Sequence, residues 1–192
     1  MLRCPLQSAM ATEPEKQLRP LRRVEYDKLI EFGAFQNEHI ELLEGLLVPM
    51  SPIGPPHHST VQRLMELMLP ALIGRATVRI QGPFAALDLS EPEPDIAIVP
   101  LGDYYTAHPD RAYLIIEVAE SSLAIDRGVK KRLYATCNVP EYWIVNLVER
   151  HIEVYTEPSN SAYGKSQRYD REQTLRPTNF VDLEVRVASI LK

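Results

Sequence analysis

Two carboxylates stand in stretches that otherwise read as oil. Asp95 follows the proline-stiffened loop of "EPEPDIAIVP" and opens an apolar strand, and Glu117 lies near the far end of a second apolar run, "YLIIEVAESS". If these strands are antiparallel neighbours, the start of the first lies beside the end of the second, and both acids converge at one edge of a sheet. Two close carboxylates repel, and burying them ionised is expensive. A divalent cation removes both penalties. Oxygen-only ligands point to Mg²⁺ or Mn²⁺, because no His/Cys cluster is present to select zinc. Such an ion polarises a phosphoryl oxygen, helps to deprotonate water and neutralises the charge that builds during in-line displacement.

A phosphodiester site also gains from a side-chain cation near the attacking water or the pentacovalent oxygens. Lys130 and Lys131 begin the helix that follows the Glu117 strand, across "ESSLAIDRGV". With Val129 and Leu133 on the sheet-facing stripe, Lys130 can lean toward the strand edge, while Lys131 and Arg132 face solvent. Gln81, in "VRIQGP", could hydrogen-bond the water at the ion from a neighbouring strand. Each residue also has a duller reading. Asp95 could cap a strand after Pro94, Glu117 could pair with a buried Arg or Lys, and Lys130 could be solvated like most helical lysines.

The elements that must hold these groups follow from periodicity. "VEYDKLIEFGAFQ" places Tyr26, Leu29, Ile30 and Phe32 at helical spacing with Gly33 as a stop. "HIELLEGLLVPMS" predicts a hairpin of Ile40–Leu43 and Leu46–Met50. "HHSTVQRLMELMLPALIG" puts Val61, Leu64, Met65, Met68 and Leu72 on one helical face, with Pro70 expected to kink or end the helix near Leu69. Strands are predicted through Val78 and Ile80, through Phe84 to Leu89, over "DIAIVP" and over "YLIIEVA". The last is apolar on both faces and therefore central. Asp126 is the expected N-cap of a helix ending near Cys137, with Val129, Leu133 and Tyr134 buried, Asn138 left-handed and Pro140 stopping propagation. "EYWIVNL" and "HIEVYTE" predict a hairpin around "VERH", in which Tyr142 and Trp143 are packing residues. The last forty residues add one or two edge strands and a terminal turn at "VASILK". The sum is one α/β domain, residues 21–192, with a mixed sheet flanked by helices, behind a flexible tail of residues 1–20 in which Met10 is a second candidate start.

Composition narrows the function classes. At 192 residues, with 45% apolar and 24% charged residues, the chain can build one full-sized core. No run approaches a membrane span, none resembles a secretory leader, and two cysteines read as reduced thiols suggest a cytoplasmic protein. Cys4 and Cys137 suggest reduced thiols, with neither a disulfide framework nor a thiolate metal cage. The net charge of −5 is a poor footprint for duplex binding, although acids held for a metal inflate it. Arg127, Lys131 and Arg132 form a modest basic patch that could meet a phosphate backbone or merely solvate one helix face.

Several long motifs, "SPIGPPHHSTVQRL", "VRIQGP", "SEPEPDIAIV", "YLIIEVAESSLAIDRGVKKRLYA" and "NVPEYWIVNLVERHIEVYTEP", occur in an order that resembles the Uma-type restriction endonucleases of the PD-(D/E)XK nuclease superfamily, over roughly residues 25 to 190. The resemblance implies a restriction-endonuclease-like core, Mg²⁺-dependent phosphodiesterase chemistry on DNA, and Pro94-Asp95 and Glu117 as the first two signature positions. It also suggests a homodimer. Glu41 matches an acidic position of that family and would be a further metal ligand or water contact. His57, favoured over His58, would orient a phosphate or assist proton transfer, unless it only hydrogen-bonds at the helix entry. One departure stands out. The signature lysine normally follows the glutamate by two residues, where this chain has Ala119, and the resemblance places Lys130 of "DRGVKKRLYA" in that role. The leading expectation is a metal-dependent endonuclease. The competing ones are a catalytically impaired nucleic-acid-binding or assembly module on the same fold, and a metal-dependent hydrolase of another anionic substrate.

Overall fold

β5, Leu114–Ala119, is buried at every position, as a run apolar on both faces but for Glu117 anticipates for a strand with neighbours on both sides. The computed structural model describes residues 18–192. Cys4, Met10 and the expected tail as far as residue 17 lie outside the described residues. On one side of β5 runs β4, Ile96–Val99, antiparallel, with Ile96 opposite Ile116. On the other side runs β6, Glu141–Asn146, parallel, with Glu117 opposite Ile144. β3 (Thr77–Ile80), β7 (His151–Ser159) and β8 (Ala162–Tyr169) complete a six-stranded mixed sheet ordered β3-β4-β5-β6-β7-β8. Within it only the β5–β6 step is parallel. A parallel step needs a crossover, and here that crossover is the helical segment carrying Lys130.

Alternation along the strands sends side chains to two separate cores. One core joins Ile96, Ile98, Leu114, Ile116 and Trp143 to α2, Pro55–Leu72, through its buried Val61, Leu64, Met68 and Leu72. A short ribbon of β9 (Thr174–Leu175) and β10 (Val185–Arg186) and the final turn α5 (Val187–Ile190) close that face. The opposite core joins Ala97, Ile115, Ala119, Tyr142 and Ile144 to Tyr134, with the Tyr134 and Tyr142 rings 5.0 Å apart. Burying each large apolar side chain contributes about 1.5–3 kcal/mol, so the two layers fix the sheet and leave its edge free for polar work. The hairpin of β1 (Ile40–Leu43) and β2 (Leu46–Pro49) forms where expected and stacks against that edge through the Leu42–Glu91 bridge.

Several local expectations change. α1 covers Arg23–Glu31, ending before Gly33 at φ +75°. Its stripe is narrower than the spacing suggests, because Tyr26 is buried while Ile30 and Phe32 are 48% and 86% exposed. α2 runs through Pro70 to Leu72. That proline sits exposed in the last turn, where it forfeits a backbone bond without disturbing the packed face. Phe84–Leu89 is not a strand. Its first amides donate to loop carbonyls at Pro92 and Pro109, and only a Leu87–Ser90 bridge remains. Asp126 is not an N-cap. α3 (Leu123–Ile125) starts earlier, a π turn spans Asp126–Lys130, and α4 (Lys131–Thr136) follows, with Asn138 left-handed at φ +54° beyond it.

Candidate active site

The antiparallel register of β4 and β5 carries straight on into the site. One residue before the Ile96–Ile116 pair stands Asp95, and one residue after it stands Glu117. The backbone N–H of Asp95 points at Glu117 Oε2 at 3.4 Å, and the Val118 N–H donates to Asp95 Oδ2 at 2.8 Å. The two residues are 8% and 4% exposed, so their convergence takes place in a poorly solvated corner. From the first turn of α2, His57 Nε2 reaches Asp95 Oδ2 at 3.0 Å. His58 is exposed.

Lys130 arrives by the π turn. Its closing bond runs from the Lys131 N–H to the Asp126 carbonyl, one residue wider than an α-helical bond. An extra residue rotates everything after it by about a quarter turn. Val129 is thereby left half-buried, and Asp126 and Lys130 are the residues turned inward. Lys130 Nζ lies 3.1 Å from Glu117 Oε1 and 3.0 Å from Glu41 Oε2. Tyr134, one turn on, donates its hydroxyl to Glu117 Oε1 at 2.7 Å, and Ser122 Oγ donates to Asp126 Oδ2 at 2.6 Å.

The electrostatics are dominated by excess negative charge. Glu41, Asp95, Glu117 and Asp126 are all buried around one buried lysine. Burial pushes Glu117 well above the usual carboxylate range. Lys130 opposes that shift, while Asp126, Asp95 and Glu41 add to it. Asp126 is pushed up to about 6, again chiefly by burial, with Lys130 and the Ser122 hydroxyl pulling the other way. For Lys130, burial favours the neutral amine, but Glu117, Glu41 and Asp126 outweigh it and hold the proton more tightly than in water. His57 is likewise raised: burial favours its neutral form, but the hydrogen bond and charge of Asp95, with the charges of Glu120 and Asp126, outweigh it.

These residues suit a hard divalent cation. A single lysine leaves the carboxylates under-compensated, and among the described residues Asp95 Oδ1 accepts no hydrogen bond while Glu117 Oε2 has only the long 3.4 Å contact. The cleft they line has room for ≈ 90 Å³, enough for an ion with a few waters. Among the described residues no three of His, Cys, Asp and Glu are grouped to form a ready-made metal cage.

Of two further expected participants, Gln81 stands outside the site and Glu41 stands beside it. Gln81 has an exposed side chain at the end of β3. Its left-handed backbone (φ +45°) turns it away, and only its N–H reaches the site strand, at the Asp95 carbonyl. Glu41 is beside the site but committed otherwise, since its Oε2 takes both Lys130 Nζ and the Glu93 N–H at 3.2 Å. Through that oxygen it bears on the lysine, and it lines the same cleft as Asp95 and Glu117. Nor do the helix cations make an open patch. Arg127 pairs with Glu153, Arg132 with Glu44 at 3.2 Å, and Lys131 lies over the Tyr155 ring at 4.9 Å. Asp126 and Tyr134 escaped sequence reasoning as site residues. Their signal was the four-residue spacing Asp126, Lys130, Tyr134 along one helix side.

Uma2, a family described as "Putative restriction endonuclease", matches residues 23–188. A crystal structure described as "a putative nuclease belonging to DUF820", from Anabaena variabilis, is similar with a TM-score of 0.69. The match covers 89% of this chain and 97% of that one at 14% identity, a likeness that speaks for the restriction-endonuclease-like fold alone. No curated protein matches the chain. Among the described residues no helix is long and apolar enough to cross a membrane.

Proposed function

The chain belongs to the Uma2 family, over residues 23–188, and from that premise we propose that it is a divalent-metal-dependent endonuclease that hydrolyses DNA phosphodiester bonds. The observation that carries this reading is the position of Lys130. The place two residues after Glu117 holds Ala119, yet a lysine amine from the following helix sits 3.1 Å from the Glu117 carboxylate. Asp95 and Glu117 would hold Mg²⁺ or Mn²⁺ through the oxygens least used by protein donors. When bound, the ion would supply Lewis-acid polarisation of the phosphoryl oxygen and acidify water.

The remaining work falls to the chain's own groups. His57 fixes Asp95 by holding its Oδ2, the kind of outer contact that orients a ligand carboxylate. Lys130 stays protonated at neutral pH because three carboxylates surround it. It therefore acts as a fixed cation beside the reacting phosphate and not as a base. Glu41 holds the amine of the Lys130–Glu117 pair and Tyr134 holds its carboxylate. The test is cleavage of supercoiled plasmid and end-labelled oligonucleotides with Mg²⁺, Mn²⁺ or EDTA. Nicking with either ion and none with EDTA is the expected result; intact DNA under every condition contradicts it.

One observation favours a second reading, a nuclease-fold module that binds nucleic acid or assembles without cutting. Lys130 already spans Glu117 and Glu41 at 3.1 and 3.0 Å, which partly neutralises the cluster without an ion. A protein that binds oligonucleotides but neither binds Mn²⁺ nor cleaves would select this reading.

A further inference from the structure

Next to the acidic site, with Glu93 lining both, opens a larger cleft of ≈ 400 Å³ between α1 and the loop that precedes β5. Glu91 lines it and is only 5% exposed. Its Oε2 is fully buried and accepts no hydrogen bond; the nearest cation, Arg23 Nη1, is 3.9 Å away. Burial, the charge of Asp27 and a hydrogen bond between the two carboxyl groups push Glu91 up to about 7, only partly opposed by Arg23. The carboxyl thus keeps one buried oxygen without a donor, which is destabilising and leaves it acceptor capacity for a ligand.

The other wall offers an aromatic face. Tyr104 is tied down, its hydroxyl donating to the Pro100 carbonyl at 2.7 Å and its ring covered by the Arg79 guanidinium at 5.7 Å. Tyr105, by contrast, is 92% exposed while its backbone is held by Asp103 Oδ1 at 2.9 Å. An exposed ring on the wall of a cleft offers a stacking surface. Ile30, left 48% exposed by α1, and Pro83 add apolar surface to the same cleft.

We infer that this cleft receives an unpaired nucleobase adjacent to the cleaved phosphate, stacked on Tyr105 and donating an exocyclic amine to Glu91. The inference rests on the phosphodiesterase reading and narrows it to nucleic acid with unpaired bases beside the cut. Charge argues against a phosphate in the cleft, since Asp27, Glu31, Glu91 and Glu93 outnumber Arg23 and His108 along its walls. A carboxylate acceptor suits the amine of cytosine or adenine, whereas thymine carries none. A base inside a duplex cannot enter a concave pocket without leaving the stack, so the occupant is single-stranded, frayed or extruded.

The test is fluorescence anisotropy of the full chain with labelled oligo-dC, oligo-dT and a duplex of equal length, with Ca²⁺ present to neutralise the neighbouring carboxylates. The wild type is expected to bind oligo-dC most tightly. Tyr105→Ala should weaken both single strands by about 5- to 100-fold, and Tyr105→Phe, which keeps the ring, should restore binding. Glu91→Leu should erase the preference for dC over dT while leaving oligo-dT binding intact; thermal melts of each variant control for folding. Single-strand binding unchanged in both Tyr105→Ala and Glu91→Leu overturns the base cleft and leaves the nuclease reading standing. A wild type that binds no nucleic acid in any form removes both.

Discussion

The Lys130 amine meets the Glu117 carboxylate at 3.1 Å from thirteen residues away, across a crossover that leaves one strand and returns through a π turn. A lysine on the strand itself would be aimed by the alternation of β5. Here the widened turn aims it, and the catalytic reading depends on that turn keeping its register.

Replacing Lys130 with Met should separate turnover from metal binding. Loss of a preorganised cation lowers rates by about 10²–10³-fold, whereas the proposed ion-holding oxygens of Asp95 and Glu117 remain. Breaking a buried pair by removing one partner also destabilises by about 3–5 kcal/mol, so the metal-free variant should melt earlier than wild type and recover on adding Mn²⁺. Plasmid cleavage kinetics and thermal melts with and without Mn²⁺ check both parts; unchanged cleavage would move the role to Lys131 or solvent.

Removing His57 should weaken the metal without abolishing it. Its ring holds the one Asp95 oxygen that also accepts the Val118 amide. Loss of an outer contact of this kind lowers metal affinity by about 10–100-fold. Calorimetric titration of His57→Ala with Mn²⁺ measures the change, and an unaltered affinity would reduce His57 to a helix-entry contact.

Asp126 gives a pH signature. Its folded value of about 6 lies above the ordinary 3.8, so the folded state holds a proton that the unfolded state has already released. Stability therefore falls as pH rises from about 4 to about 6 and levels off beyond that. Asp126→Asn removes this slope while keeping an acceptor for Ser122. In EDTA the variant should gain on the wild type across that window, by up to roughly 3 kcal/mol from the two-unit difference. Urea melts at pH 4 and pH 7 read it directly; an equal difference at both would contradict the assignment.

How much of this was legible before folding depends on which rule each segment obeys. The two apolar runs and their end-placed acids are enough to propose Asp95 beside Glu117, because strand alternation and antiparallel pairing leave little freedom. The hairpin of β1 and β2 was equally open to reading from "EG" between short apolar runs. Helical periodicity of 3.6, applied through Asp126–Lys130, misplaced Val129 inward and Asp126 at a cap, since nothing local announces a π turn. Alternation also misled at Phe84–Leu89, where a strand-like pattern is satisfied by loop carbonyls. Gln81 lay in a matching motif, but a left-handed residue at a strand end points its side chain away.

The most direct test of the central claim is calorimetric titration of Mn²⁺ into wild type, Asp95→Ala and Glu117→Ala, each shown to be folded by circular dichroism. Wild type should give one binding isotherm, and either variant none. Undiminished binding in either variant would contradict a shared ion between the two carboxylates.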